Sequence, residues 1–172
     1  MRLWPLCIIK QLPRQQLLGQ HRECCALRGM GWGKKHATVN YVFEHPYWWL
    51  ADYHRWVMIQ MLCRGYTVAP EWLNEEYRGK NIGTDNSVFT KKDTTFYIVP
   101  SKDWDKGGKW YPCIYSEHNE DYLDECIQNL SQKGVQIDRE DAIKSLYGKR
   151  KTELFGEIDE IIERYKGAAF RK

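Results

Sequence analysis

The sequence predicts a mainly α-helical fold, a compact helical core followed by a small α+β C-terminal extension. Two apolar helical segments within the first 64 residues each begin at a proline and are followed directly by a glycine. A later region, between residues 88 and 115, has the β-branched and aromatic composition of short strands. Apolar residues also recur at helical spacing near the C-terminus. We therefore expect a helical core over residues 1–83 and an extension over residues 84–172.

The first helix is predicted over residues 13–28, because Pro13 suits a first helical turn and Gly29 supplies the stop. One side of this helix is broadly apolar. The opposite side combines long polar residues with two small ones: Gln15, Gln16, Gly19, Arg22, Glu23 and Ala26. Small residues on a polar helix face let another backbone approach closely, whereas a merely solvated face usually carries long side chains throughout.

A glycine-rich loop is predicted next, over residues 29–36. Three glycines at alternate positions are typical of a tight loop, and Lys34, Lys35 and His36 follow them. Cations beside exposed backbone N–H groups bind phosphate. A connector with solvated lysines is the alternative interpretation.

The second helix is predicted over residues 46–64, ended by Gly65 in a Schellman cap. It is apolar nearly all round, so we interpret it as the central buried helix. Its tryptophans could serve as base-stacking platforms, but at this density core packing is the favoured interpretation. His54 on the same helix is interpreted as a structural histidine.

The extension is predicted to contain three short strands and three helices. The strands are expected at residues 88–89, 94–99 and 110–115, separated by turn residues. The helices are expected at residues 120–132, 139–146 and 153–166, the last with an apolar stripe.

Cysteine usage and hydropathy limit the classes of protein. None of the 6 cysteines stands in a CxxC pair, and the 5 histidines lie at no zinc-like spacing from them. Buried free thiols in a reducing cytoplasm are therefore expected, with no metal and no other cofactor. The longest apolar stretch, residues 47–61, contains Asp52, His54 and Arg55, so it does not span a membrane. We expect a soluble cytoplasmic protein without a membrane partner.

The charge is unevenly distributed along the chain. Residues 1–80 hold 11 Lys and Arg against 6 Asp and Glu, which gives +5, and the remaining 15 against 17 give −2. This distribution favours an anionic partner for the N-terminal half, with ordinary scatter as the alternative.

The chain terminus is a chemical group in its own right. An α-amine has a reference pKa of about 7.7–8.0, so roughly a third of it is neutral and nucleophilic at pH 7.5, against about 0.1% of a lysine. If the terminus folds onto the first helix, the amine of Met1 and the carboxylate of Glu23 form a pair suited to imine chemistry at a sugar C1′ carbon.

Several segments resemble the pyrimidine-dimer DNA glycosylase family, to which endonuclease V belongs. The resemblance lies in residues 12–23, Gly29, residues 35–36, 62–68 and 77–79, and covers about residues 1–83. Its most specific part is Gln15 with Arg22 and Glu23 at a fixed distance from the N-terminus. The resemblance implies a compact helical enzyme that needs no metal and acts on double-stranded DNA. Such an enzyme flips a nucleotide, releases the damaged base through an N-terminal imine and cleaves the strand by β-elimination.

The resemblance also implies roles for individual residues. Met1 and Glu23 would be catalytic. The residues expected to contact DNA are Arg2, Gln15, Arg22, Lys34, Lys35, His36 and Arg78. The chain departs from the family at Arg2, where a small residue is usual, so Met1 should be retained and supply the amine. It departs again at Ala26, which replaces a second arginine. A glycosylase for another damaged or modified base and a non-catalytic DNA-binding module remain the alternatives.

Overall fold

The structure is a computed structural model that describes residues 2–31, 38–88, 97–100, 110–147, 149 and 151–169. These described residues form six α-helices: α1 Leu6–Ile9, α2 Arg14–Arg28, α3 Tyr47–Cys63, α4 Glu120–Gln132, α5 Arg139–Lys144 and α6 Lys151–Ala169. Short 3-10 turns cover Asn40–Phe43, Pro70–Leu73 and Asn86–Val88. Strands β1 Tyr97–Pro100 and β2 Trp110–Cys113 pair antiparallel, with Tyr97 opposite Cys113. The predicted mainly α-helical fold is confirmed.

The two predicted N-terminal helices are confirmed almost to the residue. Pro13 is extended and is the N-cap of α2, which ends at Arg28 with Gly29 as its C-cap. Helix α3 ends in a Schellman motif around Gly65, whose φ is 73°. The N–H of Tyr66 donates to the carbonyl of Met61 at 2.9 Å, and the N–H of Gly65 donates to that of Leu62 at 2.9 Å.

The extension differs from its prediction in several places. Helix α6 runs over Lys151–Ala169, longer at both ends than the predicted residues 153–166. The strand predicted at residues 88–89 is wrong at Val88, which closes a 3-10 turn because Asp85 binds both the N–H and the hydroxyl of Ser87. Phe89 and residues 94–96 lie outside the described residues. Helix α5 ends at Lys144, two residues early, because the chain tightens into i→i+3 bonds there. Strand β2 ends at Cys113 rather than at residue 115.

One hydrophobic cluster is built from both parts of the chain. Helix α3 lies at its centre, with Tyr53, Val57 and Met58 fully buried, and α2 packs along it. The extension adds Leu123 and Leu130 of α4 to the same cluster. Trp49 is also buried there, as the core-packing interpretation expects. The boundary between residues 83 and 84 stays a prediction.

The six cysteines are free, as predicted, but not all of them are buried. Cys7, Cys24, Cys113 and Cys126 are buried, whereas Cys25 is half-buried and Cys63 is exposed, so the expectation of buried thiols is wrong for these two. Within the described ranges, no helix has both the length and the apolar character needed to cross a bilayer.

Candidate active site

The first residues of the chain lie against one side of α2. The backbone N–H of Arg2 donates to Oε2 of Glu23 at 3.3 Å. The N–H of Trp4 donates to Oε1 of Gln20 at 2.9 Å, and Nε2 of Gln20 lies 3.4 Å from the same Glu23 oxygen. Because Gln20 and Glu23 are one helical turn apart, their side chains can accept from two N–H groups of the same segment, those of Trp4 and Arg2. The start of the chain is thereby brought to Glu23.

Gln20 is a member of this site that the sequence analysis missed. Its side chain is 1% exposed, so both of its polar atoms need partners within the protein. The Trp4 N–H can only donate a hydrogen bond, so the side-chain oxygen of Gln20 must face Trp4. The NH₂ group of Gln20 then faces Glu23. Gln20 joins the N-terminal segment to the carboxylate.

The environment of Glu23 makes its carboxyl easier to protonate than that of an exposed glutamate. Burial raises the pKa of this carboxyl above its ordinary value, while the N–H of Arg2, the charge of Lys133 and the amide of Gln20 oppose that rise. A raised pKa brings a carboxyl closer to neutral pH, where it can both give and take a proton. Glu23 is thus suited to proton transfer.

Beside Glu23, the exposed side of α2 has the composition that the sequence predicts. Gln15 and Arg22 are exposed and two turns apart on one side of the helix. Arg22 makes no hydrogen bond or ion pair with the part of the chain that the structure describes, and in particular none with Glu23. A Cβ placed on Gly19 would meet nothing within 4 Å. The face is therefore open to a partner.

Of the other residues predicted to contact DNA, Arg2 and Arg78 are paired with other parts of the protein. The guanidinium of Arg2 pairs with Glu125 on α4 at 2.8 Å. Arg78 donates from Nε to the carbonyl of Arg28 at 3.0 Å and pairs with Asp85 at 3.1 Å, so it closes the C-terminal end of α2. Met1, Lys34, Lys35 and His36 lie outside the described residues. Contact of these residues with DNA stays a prediction.

Arg28 is a structural residue that the sequence did not reveal. It is fully buried, and its guanidinium donates to the hydroxyl of Tyr47, to Nδ1 of His54 and to four backbone carbonyls. The four carbonyls belong to Trp72, Asn74, Glu75 and Tyr77. A buried guanidinium with all of its N–H groups paired holds the loop after Pro70–Leu73 against α2 and α3.

A cluster of His21, Cys25 and His54 has the residue types of a metal site, with ligand atoms within 4.8 Å of one another. The hydrogen bonds within this cluster are incompatible with a bound metal ion. Nδ1 of His54 accepts from Arg28 at 3.1 Å, so Nε2 carries the proton and donates to Nδ1 of His21 at 2.8 Å. A metal would need a lone pair at that Nε2, and it would lie next to the Arg28 cation.

The two histidines of this cluster form a neutral pair instead. Burial, together with the nearby charges of Arg28 and Arg22, lowers the pKa of His21 to about 4. Burial also lowers the pKa of His54. The pair links α2 to α3, which supports the interpretation of His54 as structural.

The fold and the site together define a mainly helical protein whose chain start is held against a half-buried glutamate, beside an open polar helix face. Residues 1–74 match the family model described as pyrimidine dimer DNA glycosylase, which confirms the resemblance over that part of the chain. The matched residues include the N-terminal segment, α2 and α3, whereas α4, α5 and α6 lie beyond them. No curated protein and no solved structure matches the chain.

Proposed function

We propose that the protein is a DNA glycosylase with AP-lyase activity that acts on pyrimidine dimers in double-stranded DNA through an imine at its N-terminal amine. The observation that carries the proposal is the 3.3 Å contact between the Arg2 nitrogen and Glu23. The amine of Met1 is three bonds from that nitrogen, so covalent geometry keeps it within about 7 Å of the carboxylate oxygen in any conformation. The family match to residues 1–74 supports DNA as the substrate.

The proposed reaction uses the amine of Met1 as nucleophile and the carboxyl of Glu23 as proton carrier at the same sugar. The neutral amine attacks C1′, the bond from C1′ to the base nitrogen breaks, and the base leaves with the electron pair and takes up a proton. The ring oxygen then leaves C1′ as a hydroxyl, which forms the C1′=N iminium. Loss of a proton from C2′ expels the 3′ phosphate oxygen and cleaves the strand. Glu23 gives and takes the protons of these steps.

Binding is assigned to the open face of α2. Arg22 and Gln15 would contact backbone phosphates there, and Lys34, Lys35, His36 and Arg78 would extend this contact beyond the helix. Lys133 adds a further cation near Glu23. The enzyme would have to extrude the damaged nucleotide, because C1′ inside a stacked duplex is out of reach of the amine.

Borohydride trapping tests the proposal. With abasic-site duplex in excess EDTA, the full chain is expected to form a covalent adduct, since borohydride reduces the imine. It should also cleave dimer-containing duplex while leaving undamaged duplex intact. DNA binding without any adduct would show a non-catalytic binding module. An adduct with abasic sites but no action on dimers would show that another base is excised.

The open position at Gly19 leads to a prediction with two opposite effects. Glycine in a helix interior is less favourable than alanine by roughly 0.5–1 kcal/mol, and no neighbour requires glycine here. Gly19→Ala should therefore raise the melting temperature while it weakens DNA binding, because DNA approaches the helix at this point.

A matched control for Gly19 exists on α6. A Cβ on Gly156 also meets nothing within 4 Å, so Gly156→Ala should stabilise the protein by a similar amount with unchanged DNA affinity. Thermal unfolding and a binding titration on the same preparations check both variants. Equal DNA affinity of Gly19→Ala and the wild type would refute a close approach of DNA at Gly19.

A further inference from the structure

We infer that α4, which lies outside the family-matched residues, positions the N-terminal amine at Glu23 by holding Arg2 and Leu3, an inference that rests on the proposed function. One turn of α4 makes these contacts with the chain start. The positioning residues are Glu125 and Tyr122.

Four contacts hold Arg2 and Leu3. Nη2 of Arg2 donates to Oε1 of Glu125 at 2.8 Å, and Nη1 lies 3.8 Å from Sγ of Cys126. The guanidinium also lies over the ring of Tyr122, 5.6 Å from its centroid. The Tyr122 hydroxyl donates to the carbonyl of Leu3 at 2.9 Å. Side chain and backbone of the first residues are thus held by the same face of α4.

The side chain of Tyr122 is held in place by its packing against His118. Its ring stacks on His118 with centroids 5.2 Å apart and an interplanar angle of 12°. His118 is fully buried, and its Nε2 lies 2.6 Å from the hydroxyl of Tyr41. A side chain packed on a buried stack has few alternative rotamers. The Tyr122 hydroxyl therefore presents a rigid donor to the N-terminal segment.

Further along, the same part of the chain holds the N-terminal segment again. Lys133, which follows α4, lies 5.7 Å from the centroid of the Trp4 ring. The N–H of Asp138 donates to Oε1 of Gln11 at 2.8 Å, and Nε2 of Gln11 donates back to the Asp138 carbonyl at 3.0 Å. The terminal segment is consequently held at both ends by residues of the extension.

This arrangement gives Arg2 a role that a small residue cannot fill. A chain terminus is ordinarily one of the least ordered parts of a domain. Here the Arg2 side chain is turned to α4 while its backbone N–H stays on Glu23. Its guanidinium is assigned to α4 in place of the DNA contact predicted from the sequence. Reactions at a positioned nucleophile are sensitive to displacements of about 1 Å, which cost on the order of 10²-fold.

The ion pair can be tested without unfolding the protein. The side chain of Glu125 is 59% exposed, and exposed ion pairs contribute little to stability. In the full chain, Glu125→Arg would repel Arg2, and we expect the rate of borohydride trapping to fall by about 10- to 100-fold. Melting temperature and affinity for abasic-site DNA should stay at the wild-type values.

Rescue by exchanged charges separates positioning from other effects. Arg2→Glu keeps a bulky second residue, so the amine of Met1 is retained, and Arg2→Glu combined with Glu125→Arg should restore most of the trapping rate. Tyr122→Phe should slow trapping as well, since it removes the bond to Leu3. Glu140→Arg is the matched control, because Glu140 forms an exposed pair with Lys144 on α5, and it should trap at the wild-type rate.

Three results would contradict the inference in distinguishable ways. If wild type and Glu125→Arg trap at the same rate, α4 does not position the amine, and the proposed function stands. If the wild type forms no adduct at all, the proposed function fails and the positioning role fails with it. A slow Glu125→Arg variant that the exchanged pair does not rescue would also contradict positioning through this ion pair.

Discussion

Adding residues before Met1 is expected to abolish imine formation while the fold and much of the DNA affinity remain. An extension converts the terminal amine into an amide nitrogen, which is not a nucleophile. It also moves the new amine away from Glu23, because the Arg2 and Trp4 N–H groups fix the segment on α2. The core residue Leu3 and helix α1 keep their places in the wild-type core, so stability should change little.

The measurement compares three forms of the protein. One carries a short N-terminal Gly-Ser extension, the second carries the same extension at the C-terminus, and the third is untagged. Trapping on abasic-site DNA should be lost only in the first form, with DNA affinity retained in all three. Trapping of the N-terminally extended form at the untagged rate would show that the nucleophile is another amine.

Glu23→Gln is expected to stop turnover without stopping binding. Proton transfer by a positioned side chain contributes about 10²–10⁴-fold, and glutamine cannot supply it. The carbonyl oxygen of glutamine can still accept from the Arg2 N–H, which preserves the local structure. Single-turnover cleavage of abasic-site duplex should therefore slow by about 10²–10⁴-fold, with DNA affinity close to that of the wild type.

The same substitution has a pH-dependent effect on stability. Burial raises the pKa of Glu23 in the folded state, so folding disfavours the carboxylate, and this cost is present at pH values above the folded pKa. Glu23→Gln removes this free-energy cost of burying a carboxylate. The melting temperature of the variant at pH 7.5 should therefore equal or exceed that of the wild type. The difference should disappear as the pH falls below the pKa of an unfolded glutamate, where both states bind the proton.

A matched control for this variant is Glu160→Gln on α6, which is an exposed glutamate in an i,i+4 pair with Arg164. It should leave cleavage and stability unchanged. The opposite outcome for Glu23→Gln, normal turnover with a lower melting temperature at pH 7.5, would show that Glu23 is only a structural pairing group.

Local signals in the sequence predicted much of this fold. Helices α2 and α3 were predictable because Pro13, Gly29 and Gly65 mark their ends, and α6 because its apolar residues recur at helical spacing. Helix α1 was not predicted, since one turn is too short to show a period. The strand expected at Val88 was wrong because the capping of Ser87 by Asp85 outweighed β-propensity.

The residues of the site also include some that the sequence predicted and some that it did not. Glu23 was predicted as the catalytic carboxylate from its fixed distance from the N-terminus, together with Arg22. This local signal was readable because both residues lie in one helical stretch of sequence. Gln20 carried no signal, since its burial depends on the N-terminal segment lying over it. The partners of Arg2 and Arg28 were also invisible, because they lie far away along the chain, up to 124 residues from Arg2. Contacts of this kind depend on tertiary packing.

Mapping the borohydride-trapped adduct along the chain tests the terminal-amine mechanism most directly. The trapped complex would be digested with nuclease and protease, and the modified residue identified by tandem mass spectrometry. The α-amine of Met1 is the predicted position of the adduct. An adduct on Lys133, which lies near Glu23, or on Lys34 or Lys35 would contradict the mechanism and move the nucleophile to a side chain.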